Sequence, residues 1–206
     1  MRAGLPIVLI AVAAVSGASI GAALALVHGQ SSPVPAPAPP LHAQATWPAG
    51  AKHAPDFRLR DQAGRLVTLS SERGRVVLLT FLDSHCRTEC PIQGALLAGV
   101  QRRLGAGARA DLVVVTVDPW ADTRRSTRAF AVKARWRGSW HWLLGSAARL
   151  RRVWAAYDVA VLRTRTDVTH STVLYLIDRR GFQRAAYLVP FSPRDVAADV
   201  RELAAS

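Results

Sequence analysis

The chain has 206 residues, half of them hydrophobic, which is enough apolar surface for one good core and too little length for a second domain of ordinary size. Its formal charge is +13, carried almost wholly by arginine, with lysine only at Lys52 and Lys133. The arginines are scattered and lack interleaved aromatic residues, which argues against a base-stacking nucleic-acid surface. A solvated basic face is expected instead, drawn to anionic lipid headgroups or to an acidic partner.

From Gly4 to Val27 no residue is charged, and at about 1.5 Å per residue this run is long enough to cross a hydrocarbon core of roughly 30 Å. Residues 1–29 are therefore expected to be a membrane anchor, with Arg2 and the amino terminus inside and everything after Val27 on the extracytoplasmic face. Ala23-Leu24-Ala25 offers a small-residue cleavage site, the alternative being a removed signal segment, but the apolar run exceeds a typical signal core. Gln30 to Pro40 holds five prolines, so residues 30–53 are expected to form an extended spacer.

From Ala54 onward the pattern is that of a folded domain, 54–206. Asp56 to Arg60 and Leu66 to Leu69 flank Asp61-Gln62-Ala63-Gly64 and predict a hairpin. Val76 to Leu82, broken only by Thr80, predicts a central strand buried on both faces. After Pro91, Leu96, Leu97, Val100 and Leu104 recur at helical spacing over Ile92–Leu104. A second buried strand is predicted at Asp111–Val117, a charged helix at Asp122–Trp136 and a short strand at Trp140–Leu144. Ser146 is placed to cap a helix reaching Tyr157, and a third long strand runs over Thr172–Ile177. Arg179-Arg180-Gly181 turns into Phe182–Val189, and Ser192–Leu203 closes the chain as an amphipathic helix. This alternation is a layered α/β order, and a thioredoxin-like mixed sheet flanked by helices satisfies it. Trp120, Trp136, Trp140, Trp142 and Trp154 are expected to pack the core and its rim.

The chemistry concentrates at Cys86-Arg87-Thr88-Glu89-Cys90-Pro91, between the end of a central strand and the start of a helix, where ligands collect in open α/β sheets. The helix dipole and Arg87 favour the thiolate that attacks disulfides and binds soft metals, while Glu89 opposes it. Within a helix, residues four apart have Cβ atoms about 5–6 Å from one another, against roughly 3.8 Å in a disulfide. A metal with sulfur bonds of about 2.3 Å bridges that gap readily, and a disulfide becomes reachable if Cys86 lies in the preceding loop. A purely structural disulfide across so short a loop adds only about 2 kcal/mol. His85 adjoins Cys86 and is a rival metal ligand, but neighbours on an extended segment point apart. Asp118, before a proline at a strand end, is a turn former or a supporting carboxylate. His28, His42, His53 and His141 are expected to be structural or solvated.

These segments resemble the SCO/SenC family. Phe81 through Cys86 to Cys90-Pro91 is similar to its CxxxCP motif, and Val117-Asp118-Pro119 with Asp122-Thr123 to its DP-x-x-DT segment. Leu144-Gly145-Ser146 with Tyr157, and His170-Ser171 before Tyr175-Leu176-Ile177-Asp178, follow in the same order. The resemblance implies a thioredoxin fold in which Cys86, Cys90 and His170 bind one copper ion, Cu(I) or Cu(II). It further implies delivery to the binuclear copper site of cytochrome c oxidase. The partners it implies are the oxidase subunit that carries this site, other copper chaperones and thiol-disulfide exchange proteins; the domain itself is expected to be monomeric. The chain departs from the family pattern at Arg124 after the DT pair, at Asp83-Ser84 in place of an aromatic-Thr lead, and at Thr169 in place of an Asp before the histidine.

The second function is a thiol-disulfide oxidoreductase using Cys86 and Cys90 as its redox pair. Proteins resembling thioredoxin oxidoreductases commonly carry a cis-proline just before this last central strand. No proline lies between Val161 and Leu174, which favours metal binding over turnover. A peroxiredoxin-type peroxidase would need a proline where Leu79 stands and a threonine where Asp83 stands, and has neither.

Overall fold

The computed structural model describes residues 40–206 apart from residue 166. The expected anchor lies outside the described residues, among which no helix is long and apolar enough to cross a membrane.

The folded body takes in residues that the sequence pattern assigns to the spacer. β1 (Ala45–Thr46) lies antiparallel on the sheet edge, with Ala45 opposite Ala186. Just before it, His42 Nδ1 sits 2.6 Å from Asp199 Oδ1. His53 stacks on Phe182 with ring centroids 4.1 Å apart. β2 (Arg58–Arg60) and β3 (Leu66–Thr68) form the predicted hairpin, its tight turn made at Gly64, where φ is +85° and a side chain is disfavoured.

β4 (Val76–Leu82) is buried at every residue, and its alternation explains why. Val76, Leu78 and Leu82 enter one core, while Val77, Leu79 and Phe81 enter the other, so both faces must be apolar. Thr80 is tolerated because its hydroxyl donates to the Val173 carbonyl at 2.7 Å and accepts from Gln93 Nε2. α1 (Glu89–Leu104) begins three residues ahead of the sequence prediction. Pro91 falls in its first turn, where the missing N–H costs nothing.

β5 (Ala110–Thr116) runs parallel to β4 from Val76↔Ala110 to Leu82↔Thr116. α2 (Arg124–Ala134) starts after Thr123, which forms a capping box with Ser126. The helix starts later than predicted because the Asp122 side chain turns inward. β6 (Trp140–Leu143) is parallel to β5, and α3 (Ala147–Ala156) follows Ser146, whose hydroxyl makes no capping bond.

β7 (Val161–Arg163) and β8 (Val168–His170) form a separate two-stranded sheet that the sequence pattern does not announce. β9 (Val173–Ile177) and β10 (Gln183–Leu188) complete the main sheet, and α4 (Pro193–Ala205) follows a Ser192 cap whose hydroxyl accepts from the Asp195 N–H. The strand order is β1-β10-β9-β4-β5-β6. One core layer packs Leu97, Val100, Phe130, Val196 and Val200 from α1, α2 and α4 against the sheet. The other packs Leu150, Trp154 and Tyr157 with the β2–β3 residues Leu59 and Val67. Among the tryptophans, Trp136, Trp142 and Trp154 are buried, whereas Trp120 is 41% exposed.

Candidate metal centre

Two topological facts bring the site together. The β4–α1 connection places residues 83–88 beyond the carboxyl end of a central strand, as parallel crossovers do. β9 lies on the other side of β4 and runs antiparallel to it, with Thr80 opposite Leu174. The start of β9, and the His170 that ends β8 just before it, therefore arrive beside the end of β4.

Cys90 Sγ lies 3.6 Å from His170 Nε2. Cys86, in the loop before α1, accepts from the Cys90 N–H at 3.5 Å and lies 3.6 Å from Thr88 Oγ1. Both cysteines are free thiols. His170 Nδ1 is 2.9 Å from the Ser171 carbonyl. A carbonyl only accepts, so Nδ1 carries the hydrogen and Nε2 offers its lone pair toward Cys90.

The thiols are unlike. Burial pushes the Cys86 thiol up, but hydrogen bonds from Cys90 and Thr88 outweigh it and hold Cys86 below the ordinary thiol range. Burial drives Cys90 far above that range, and neighbouring Cys86 adds to the effect. Of the two, the part-exposed Cys86 is the thiol that loses its proton more readily.

The donor set fits a soft ion. With metal–sulfur and metal–nitrogen bonds of about 2.3 and 2.05 Å, two ligands separated by about 110–120° stand roughly 3.6–3.8 Å apart. The sulfur–nitrogen distance of 3.6 Å at Cys90 and His170 matches that span.

Carboxylates brace the loop. Asp83 Oδ1 accepts from the His85 N–H at 2.7 Å. Asp122 Oδ1 accepts from the Ser84 N–H at 3.0 Å and from its hydroxyl, and Oδ2 accepts from the Thr116 hydroxyl. Burial pushes Asp122 up to about 6 despite the Ser84 and Thr116 hydrogen bonds, and burial likewise raises Asp83. Asp118 Oδ1 accepts from the Trp120 and Ala121 N–H groups at 3.1 and 3.2 Å, the turn-forming role expected of it. His85 is about half exposed, and its Nδ1 faces Ser84, Asp122 and Asp83 rather than either sulfur.

Sequence reasoning thus named the two sulfurs and the imidazole that come together. Thr88, Ser171, Asp83 and Asp122 stand in the motifs, but sequence reasoning did not assign them the supporting roles the structure gives them. Thr88 was open to discovery inside the motif, at the helix cap; Ser171 acts only through the three-dimensional path of its carbonyl.

The SCO1/SenC family model matches residues 46–205. The chain belongs to that family. It is 31% identical over 159 residues to the mitochondrial SCO2 homolog of Bos taurus, an alignment covering 71% of this chain and 58% of that protein. The chain thus spans less than two thirds of this relative's length. The structure of Bradyrhizobium japonicum ScoI with copper bound is similar at 27% identity and a TM-score of 0.65, covering 73% of this chain and 99% of that one. A SCO1/SenC family lipoprotein from Bacillus anthracis gives 25% identity and a TM-score of 0.67, with 74% and 95% covered. The mixed sheet flanked by helices is the family's thioredoxin-like arrangement.

Proposed function

We propose that this SCO1/SenC chain is a copper metallochaperone that binds one copper ion through Cys86, Cys90 and His170. In this reading it delivers the ion to the binuclear copper site of cytochrome c oxidase on the extracytoplasmic face of a membrane, held there by the apolar run from Gly4 to Val27. The observation that supports it most is the pairing of Cys90 Sγ with a lone-pair-bearing His170 Nε2 at 3.6 Å. Two thiolates and one imidazole are a soft, low-coordinate set suited to Cu(I), and a further ligand extends it to Cu(II). Ser171 fixes the imidazole tautomer, and Thr88 with the Cys90 N–H favours charge on Cys86. Part exposure of Cys86 makes it the sulfur through which the ion is received and surrendered.

Replacing His170 with alanine should weaken copper binding by more than about tenfold, since even a residue supporting a ligand commonly costs that much. It should alter any thiolate-to-Cu(II) absorption while sparing the fold and disulfide formation. Copper binding equal to that of the parent in anaerobic titration would remove His170 from the ligand set.

The unequal thiols favour one second reading, a thiol-disulfide oxidoreductase. The Cys86 thiolate attacks a target disulfide, one target sulfur leaves as thiolate, and a mixed disulfide forms. Cys90 then loses its proton and attacks Cys86 Sγ, the second target sulfur departs, and the pair has given two electrons. Weak copper binding in the parent together with rapid reduction of a target disulfide would put this reading first.

A further inference from the structure

Beside the thiols lies a second group of donors that contains no sulfur. One ligand atom from each of Asp83, His85 and Asp122 lies within 4.8 Å of the others. His85 Nδ1 is 3.4 Å from Asp122 Oδ1 and 3.7 Å from Asp83 Oδ1. Ligands held tetrahedrally at about 2.1 Å from one ion stand roughly 3.4 Å apart, so these separations already have the size of a coordination sphere. Ser84 Oγ, 3.3 Å from His85 Nδ1, adds a neutral oxygen.

Two of the three donors, Asp83 and His85, also face a cavity. Asp83 and Asp118 are 3% and 8% exposed, and both line a cavity of about 330 Å³ together with His85 and Trp120. Each ties one oxygen to backbone N–H groups, and the second oxygen of each accepts no hydrogen bond among the described residues. Two carboxylates facing one space repel each other, and a cation between them relieves that repulsion. Arg163, stacked 4.4 Å over the Trp120 ring, and Arg165 stand at the same cavity. Neither pairs with these carboxylates among the described residues, so they oppose a cation only through space. Asp83 stands where the pattern the sequence resembles has an aromatic residue.

We infer that Asp83, His85 and Asp122, with Asp118 across the cavity, form a second metal site that takes a divalent first-row cation such as Zn(II) or Cu(II). The oxygen and imidazole donors suit a borderline ion rather than the soft Cu(I) that two thiolates select. The site shares no ligand with the proposed copper centre, so either assignment can fail without the other.

The test uses the full chain, purified in mild detergent, with Cys86 and Cys90 both changed to serine. Zn(II) and Cu(II) are titrated separately, with bound metal measured after dialysis and Cu(II) followed by electron paramagnetic resonance. One ion per chain is expected, with a nitrogen-and-oxygen Cu(II) signal and no thiolate absorption. Adding His85→Ala or Asp83→Asn should weaken binding by more than about tenfold, whereas His170→Ala should leave it unchanged. Absence of stoichiometric binding, or loss that follows His170→Ala instead of His85→Ala, overturns the site. Should the serine variant fail to fold by circular dichroism, the parent carries the same test. Its zinc stoichiometry should fall by one with His85→Ala, and an unchanged stoichiometry rejects the inference.

Discussion

Two buried carboxylate clusters in this domain are satisfied in opposite ways. Asp199, on α4, closes on its partners: Oδ1 meets His42 Nδ1, and Oδ2 accepts from the His42 N–H at 2.8 Å and from the Tyr187 hydroxyl. At the carboxyl ends of β4 and β5, Asp83 and Asp118 each leave one oxygen open to a shared cavity. A polar group that uses all its valences holds a chain segment in place, here the residues before β1. A polar group left partly unused keeps an oxygen open to the cavity it faces.

The comparison breaks if removing either kind of carboxylate has the same effect on stability. The largest loss is expected from Asp199→Ala, which strands the Tyr187 hydroxyl in the core and frees the arm at His42. About 2–3 kcal/mol should disappear from the unfolding free energy measured in urea. The isosteric Asp83→Asn keeps an oxygen for the His85 N–H and removes a charge that burial disfavours. Stability should stay level or rise by no more than about 1 kcal/mol in the same titration. A loss as large as that at Asp199 would mark Asp83 as structural.

The smallest effect concerns pH. The hydrogen bond and charge of Asp199 raise His42 above its ordinary value near 6.5. A group raised on folding contributes fully below its unfolded value, and the contribution fades as pH rises through the folded one. The parent should therefore lose slightly more stability than His42→Gln between about pH 6.5 and the raised His42 value. Parallel pH profiles for the two proteins would show that the His42 contact carries no linked stability.

Much of the fold was legible because its central elements write themselves into local pattern. β4, β5 and β9 are apolar runs since both their faces are covered, and Pro91 marks the start of α1. The sulfurs at 86 and 90 declared their chemistry by spacing, whereas His170 came from resemblance and its approach to Cys90 depends on the antiparallel pairing of β9 with β4. The β1 edge strand and the β7–β8 hairpin are only two or three residues per strand, too short for periodicity to register. Asp122 looked like the first residue of a helix; its inward turn follows from the Asp118-Pro119 bend, which no local pattern displays. Asp199 gave no signal either, because an acid on an amphipathic helix is ordinarily solvated.

The placement of His170 on the β7–β8 hairpin has a mechanical consequence. The sulfurs ride on the junction of β4 and α1, inside the six-stranded sheet, while the imidazole rides on a two-stranded flap that shares no strand pairing with it. In the proposed copper centre an ion would bridge these two units, each held by a different stretch of backbone. Loss of the imidazole would then leave the sulfur pair on its own element, and release of the ion would not require the β4–α1 junction to rearrange.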